Sequence, residues 1–196
     1  MDSDSDSWWS RYGWTATILV VAFALAFIVR VVFSLSVFEQ WGWLYIYGGG
    51  SDSFYHWRVT EYILTNHTNL IHDPLLKYPL GAINPREPLF DWMNAILGIV
   101  FAPIFGGSSV NAAAFFLNLD PPLWSALTVF PLYLIGKEVS SQRMGLIAAL
   151  TYPFVVGSIQ AASLGYANYL TFYTFFILIY FYAYLRTAKA LSLIHI

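Results

Sequence analysis

Residues 15–38 form an unbroken apolar run with one charge in it, Arg30. As an α-helix this run is about 36 Å long, more than the roughly 30 Å of hydrocarbon in a bilayer. Its length and apolarity make it a membrane span. Only 10% of the 196 residues are charged and 58% are hydrophobic, where soluble domains carry about 25% charged residues. An all-α membrane protein follows. The length leaves room for about four spans and no second large soluble domain. A net charge of -2 with no basic cluster argues against nucleic acid as a partner. The lack of cysteine excludes disulfides and thiolate-held metal.

Four spans are expected, at 15–38, 110–135, 144–162 and 170–185. Residues 1–14 read as a disordered polar tail in which Asp2, Asp4 and Asp6 alternate with serine, ending in interfacial Trp8, Trp9 and Trp14. The start is acidic and the apolar run long, so an uncleaved anchor is expected rather than a cleaved signal. Pro121 and Pro122 predict a bend in the second span, and Pro153 with Gly157 a break in the third. Residues 39–109 make one long loop. Inside it, 88–105 is apolar but interrupted by Gly98 and Pro103, and is expected to lie in or dip into the interface. Residues 191–196, Leu-Ser-Leu-Ile-His-Ile, match what a sequencing-library transposon end would encode. They are expected to be foreign, with no role for His195.

The chemistry concentrates just after the first span. Gly48, Gly49 and Gly50 lead into Ser51-Asp52-Ser-Phe-Tyr-His-Trp-Arg58-Val-Thr-Glu61-Tyr62. Glycines permit close backbone approach and add no bulk beside a ligand. Ser51 or Asp52 suits the N-cap of a helix that begins there, since a side-chain oxygen can accept from an orphan N–H. From Asp52 to Tyr62 aromatics and charges interleave as on an interfacial helix. By pattern alone the stretch reads either as a capped surface helix or as the head of a site. Arg58 lies nearly two turns from Asp52, too far for a local ion pair, and could meet a phosphate or a lipid headgroup. His56, His67 and His72 lack the helical spacing of a metal box and read as solvated or hydrogen-bonded. Arg30 costs about 2.5–3.5 kcal/mol at a span centre. It therefore either faces protein, phosphate or water, or snorkels to the outer interface.

The motif Asp52-Ser-Phe-Tyr-His-Trp-Arg58 with Glu61-Tyr62 resembles the first external-loop motif of the catalytic subunit of oligosaccharyltransferase, most closely its archaeal branch. Tyr78-Pro-Leu-Gly81 is similar to a further piece of that loop. The resemblance implies the N-terminal four transmembrane helices of a multispan, GT-C-type glycosyltransferase, and hence a piece of a longer chain. It implies transfer of an oligosaccharide from a polyprenyl- or dolichyl-phosphate-linked donor to asparagine in Asn-x-Ser/Thr of exported polypeptides. Asp52 would be catalytic and would hold Mg²⁺ or Mn²⁺, and Arg30 and Arg58 would meet the donor phosphate. The family's second metal motif follows the third span and falls on Ser163-Leu-Gly165-Tyr166-Ala167-Asn168-Tyr169-Leu170. Its two acidic positions hold Asn168 and Leu170, so Asn168 would offer an uncharged amide oxygen in place of a carboxylate. Two other classes share an acid after the first span: another lipid-phosphate-sugar transferase, and a non-catalytic membrane subunit or transporter.

Basic residues orient the chain. Lys137 and Arg143 flank the connection after the second span, Arg186 and Lys189 follow the fourth, and the loop between the third and fourth has none. By the positive-inside rule the N-terminus is cytoplasmic and the Asp52 loop external, in a multi-pass protein of the cell membrane. Single cysteines at Ser109 and Ser140 are expected to react with an impermeant thiol reagent from opposite faces, Ser109 outside and Ser140 inside. Labelling of both from one face would overturn the helix count.

Overall fold

The computed structural model describes residues 13–42 and 51–194. The tail at 1–12, the glycines at 48–50 and His195 lie outside the described residues. Helices α1 (Trp14–Trp41), α2 (Ser51–Asn66), α3 (Pro88–Phe101), α4 (Ser109–Leu127), α5 (Val129–Val139), α6 (Gln142–Thr151), α7 (Val156–Ala161) and α8 (Leu170–Ile194) account for most of the chain. Two-residue strands β1 (His72–Asp73) and β2 (Ala82–Ile83) pair antiparallel in the long loop, with His72 opposite Ile83. Contacts divide the chain into two units. One comprises Met1–Phe33, Pro122–Ser163 and Leu170–Ile196; the other comprises Ser34–Pro121 and Leu164–Tyr169.

Among the described residues, three helical segments are long and apolar enough to cross a membrane: Trp14–Val32, Pro88–Phe105 and Leu170–Leu191. The second, expected in or dipping into the interface, is α3 plus a 3₁₀ turn, Ala102–Phe105, ended by Gly106 at φ 64°. Its burial is inverted relative to a soluble helix. Asp91 and Asn94 are buried, while Leu89, Ile96, Ile99 and Val100 face outward. That pattern suits a helix whose outer solvent is hydrocarbon. The 144–162 stretch is divided into α6, a 3₁₀ turn at Tyr152–Phe154 and α7, with Pro153 inside the 3₁₀ turn.

The double proline does not end α4, which runs from Ser109 through both prolines to Leu127. Proline lacks an N–H for the carbonyl four residues back. For Pro122 that carbonyl belongs to Asn118, and the Gly165 N–H donates to it at 2.9 Å. A second gap opens at Thr128, between α4 and α5, three residues before Pro131.

The first unit packs on small residues. Ala22, Ala26, Ala126, Val129, Tyr133 and Ala149 form its core, bordered by Phe23, Phe27 and Leu146. Small side chains let membrane helices approach closely enough for dispersion contacts to replace the missing hydrophobic drive. The closest approach joins α5 to α6. A Cβ on Gly145 would stand 2.4 Å from the Tyr133 carbonyl oxygen, and one on Gly136 2.7 Å from Gly145 Cα. At one end of this unit Gln142 Nε2 donates to Thr15 Oγ1 at 2.5 Å, and Lys189 Nζ lies 3.3 Å from the Glu138 carboxylate.

Gly145→Ala should therefore force α5 and α6 apart. Overpacking costs about 1–3 kcal/mol, so the unfolding midpoint in detergent is expected to drop while Gly157→Ala, which meets nothing within 4 Å, changes it little.

Candidate functional site

Asp52 lies in the first turn of α2, where a carboxylate is favoured by the exposed N–H groups and the helix dipole. It opens on a cavity of about 420 Å³ lined by Ser51, Phe54, Tyr55, Arg58, Pro85 and Arg86, among others. The helix is held by packing in its later turns. Val59 and Ile63 pack with Leu70 and Ala95, bordered by Tyr62 and Trp92.

One turn further along α2, His56 is fully buried, and its Nδ1 meets Asp91 Oδ1 at 2.7 Å. Its ring stands edge-on to Phe90 and to Tyr169, with centroids 5.0 and 5.3 Å apart. Tyr169 in turn positions Arg86. The guanidinium donates through Nη1 to Tyr169 Oη at 2.9 Å, and its central carbon lies 5.3 Å from the ring centroid. Arg86 Nη2 then meets Asp52 Oδ1. The Arg86 backbone is set as well, because its N–H donates to Asn84 Oδ1 at 2.9 Å with Pro85 between them. A continuous row of contacts thus runs Asp91, His56, Tyr169, Arg86, Asp52.

Arg58 also lines the cavity, but its fork closes on Asp73. Nε donates to Oδ2 at 2.9 Å and Nη2 to Oδ1 at 2.8 Å. Asp73 is buried and takes a further bond from the Leu75 N–H at 2.9 Å. The Arg58 bonds hold its carboxyl below the usual carboxylate range, against the opposing effect of burial. Asn168 is buried, and its Nδ2 donates to the Tyr166 carbonyl at 3.2 Å. Arg30 belongs to the other unit and is fully enclosed there. It donates to the Ala26 carbonyl at 2.8 Å and to Ser158 Oγ at 2.7 Å, over the ring of Tyr152.

The structure thus brings Asp52 and Arg58 to one cavity and places Asn168 beside the tyrosine that holds Arg86. Arg86, Tyr169 and the His56–Asp91 pair were not singled out by sequence reasoning. Arg86 is 34 residues from Asp52, so no local spacing could link them. A divalent ion of the hard type takes about six oxygens. Among the described residues no three His, Asp or Glu side chains gather to hold one, and the Asp52 carboxylate already carries a guanidinium. The described residues do not by themselves fit such an ion.

Apolar helices of membrane length define a multispan α-helical membrane protein. The chain belongs to the family described as Oligosaccharyl transferase STT3, N-terminal, which matches residues 17–195. It is 28% identical over 168 residues to Dolichyl-phosphooligosaccharide-protein glycotransferase 3 of Archaeoglobus fulgidus, covering 85% of this chain and 18% of that one. Among solved structures it resembles the archaeal oligosaccharyltransferase AglB from the same organism in complex with an inhibitory peptide and a dolichol-phosphate. The TM-score is 0.74 and the identity 25%, over 91% of this chain and 20% of that one. An A. fulgidus oligosaccharyltransferase in complex with Zn and sulfate matches at TM-score 0.69 and 25% identity, over 86% of this chain and 21% of that one. The chain therefore spans about a fifth of the length of these relatives.

The Arg58–Asp73 pair carries a pH dependence. A folded carboxyl with a depressed pKa contributes stability that is complete above the ordinary value, about pH 4, and is lost as pH falls through the folded value. Unfolding midpoints in detergent should fall on acidification below about pH 4, with less of that fall in Asp73→Asn. At neutral pH, Arg58→Gln should cost roughly 1.5–3 kcal/mol, as expected for hydrogen bonds between charged groups.

Proposed function

We propose that the chain serves the transfer of an oligosaccharide from a polyprenyl- or dolichyl-phosphate-linked donor to asparagine in Asn-x-Ser/Thr of exported polypeptides. The observation that carries this reading is Asp52, placed in the first turn of α2 at the mouth of a cavity, in a chain of the oligosaccharyltransferase family. Of the two arginines assigned to donor phosphate, Arg58 faces that cavity. Arg30 has its nearest partners in Ser158 and Tyr152, and is the weaker candidate.

A divalent ion at Asp52 would neutralise charge on a leaving phosphate. Its remaining oxygens would come from Asn168, from the donor and from parts of the longer relatives that this chain does not cover. Hard oxygen donors favour Mg²⁺ or Mn²⁺. The residues of this chain do other work. Arg86 and Tyr169 hold the Asp52 carboxylate in place, and the His56–Asp91 pair fixes the ring against which Tyr169 rests.

The orientation with the N-terminus cytoplasmic and Asp52 external is part of the proposal. It is supported by the end of the first unit where Thr15 meets Gln142 and Glu138 meets Arg186 and Lys189. The N-terminal end of α1 thus lies with the basic residues, as the positive-inside rule asks.

The test is glycan transfer to an Asn-x-Thr peptide by the complete gene product in membranes. Asp52→Ala and EDTA are each expected to abolish transfer, Mn²⁺ to restore it after EDTA, and Asn168→Asp to lower the Mn²⁺ needed. Transfer that survives both EDTA and Asp52→Ala would leave α2 as an interfacial helix and nothing more.

A further inference from the structure

The hairpin between α2 and α3 is inside out for a segment that stands in water. Its acid, Asp73, is buried and closed by the Arg58 fork and the Leu75 N–H. Its large apolar side chains are on the outside. Ile71, Leu75, Tyr78, Leu80 and Ile83 are all exposed, from 60% at Leu75 to 87% at Leu80. A single exposed apolar residue is ordinary on a protein surface, whereas a cluster in one short hairpin calls for a partner. The backbone holds these side chains outward. The Asn84 N–H donates to the Ile71 carbonyl at 2.8 Å and the Leu80 N–H to the Lys77 carbonyl at 3.2 Å. Gly81, at φ 74°, lies so close to the His72 ring that a Cβ there would collide with it.

We propose that this hairpin dips its apolar side chains into the bilayer, at the boundary between headgroups and acyl chains. Two observations select lipid as the partner. The same inversion continues along the chain, because α3 begins shortly after Ile83 and turns Leu89, Ile96, Ile99 and Val100 outward around buried Asp91 and Asn94. The surface of α3 that suits hydrocarbon thus has its counterpart in the segment leading into it. The exposed polar chemistry is also that of an interface. Tyr78 offers a ring with a hydroxyl at its edge, and the exposed Lys77 beside it a long stem with a cationic head. Such side chains keep their apolar parts in the membrane and their polar tips among headgroups. Two-residue strands cannot cross a bilayer, so the hairpin rests at its boundary. Leu76, in the same hairpin, is part of the wall of the Asp52 cavity. For the transfer reading, insertion means that an amphiphile in the leaflet meets this cavity without first leaving the bilayer; the insertion itself does not depend on that reading.

The test places single cysteines at Leu80 and Ile83 of the complete gene product in lipid nanodiscs and attaches a nitroxide to each. This chain has no cysteine of its own. Collision with oxygen, which concentrates in hydrocarbon, is compared with collision with a water-soluble nickel chelate. Glu61→Cys, at an exposed charged position of α2, gives the reference for water, and Ile99→Cys, on the outward side of α3, the reference for lipid. The oxygen-to-nickel ratio at Leu80→Cys and Ile83→Cys is expected to be several-fold above that at Glu61→Cys and to approach that at Ile99→Cys. Ratios matching Glu61→Cys would place the hairpin in water and overturn the proposal. Shielding from both reagents would overturn it too, by showing another part of the protein over the hairpin. No transfer is measured, so a negative result here leaves the proposal for Asp52 standing, and failure of that proposal leaves the insertion standing.

Discussion

The hydrogen bond from the Gly165 N–H to the Asn118 carbonyl ties the segment that completes the site to α4. Pro122 has no N–H to give that carbonyl, and a buried carbonyl without a donor is costly. Gly165, at φ 79°, turns its N–H onto α4 from a conformation that other residues rarely adopt. The segment Leu164–Tyr169 is fixed by that bond. At its end Tyr169 rests on His56 and holds Arg86, and Arg86 holds Asp52. The segment that bears Tyr169 is thus tied to α4 at Asn118.

Hydrocarbon as solvent explains the distribution of polar groups. In water, Asp91, Asn94 and Arg30 would be expected outside and Ile96, Ile99 and Val100 inside. Here the order is reversed, because a polar group facing lipid has no partner and an apolar one loses nothing. Arg30 is met entirely by neutral groups, the Ala26 carbonyl, Ser158 and the face of Tyr152. Tyr152 also bonds Ser125 and Ser158, each at 2.8 Å. Such a cluster joins α1 to the α6–α7 region by polar contact where apolar packing alone has little specificity.

The same accounting governs the segment between α2 and α3. Its two short strands could not stand alone, and the Arg58–Asp73 fork anchors β1 to α2. Arg58, read from sequence as free to meet a phosphate or a headgroup, is shared between that anchor and the cavity. Asp52 has a similar double character. Its carboxylate is built into a row of contacts reaching back to Asp91, and it also opens on the cavity.

By itself the sequence determined the class of fold, the position of Asp52 and its family. Run length and apolarity are one-dimensional properties, and the motif from Asp52 to Tyr62 is local. Helix breaks were partly legible. The disruption near Pro153 appears, and the second span runs on through Pro121 and Pro122 as one helix, α4, with a donor from 43 residues further along the chain in place of the bond that Pro122 removes. Only the tertiary structure decided which cation Asp52 meets, where Arg58 points and what encloses His56. Those pairings join residues 15 to 83 positions apart. Charge and hydrogen bonding act through space, and no periodicity records a contact made by folding.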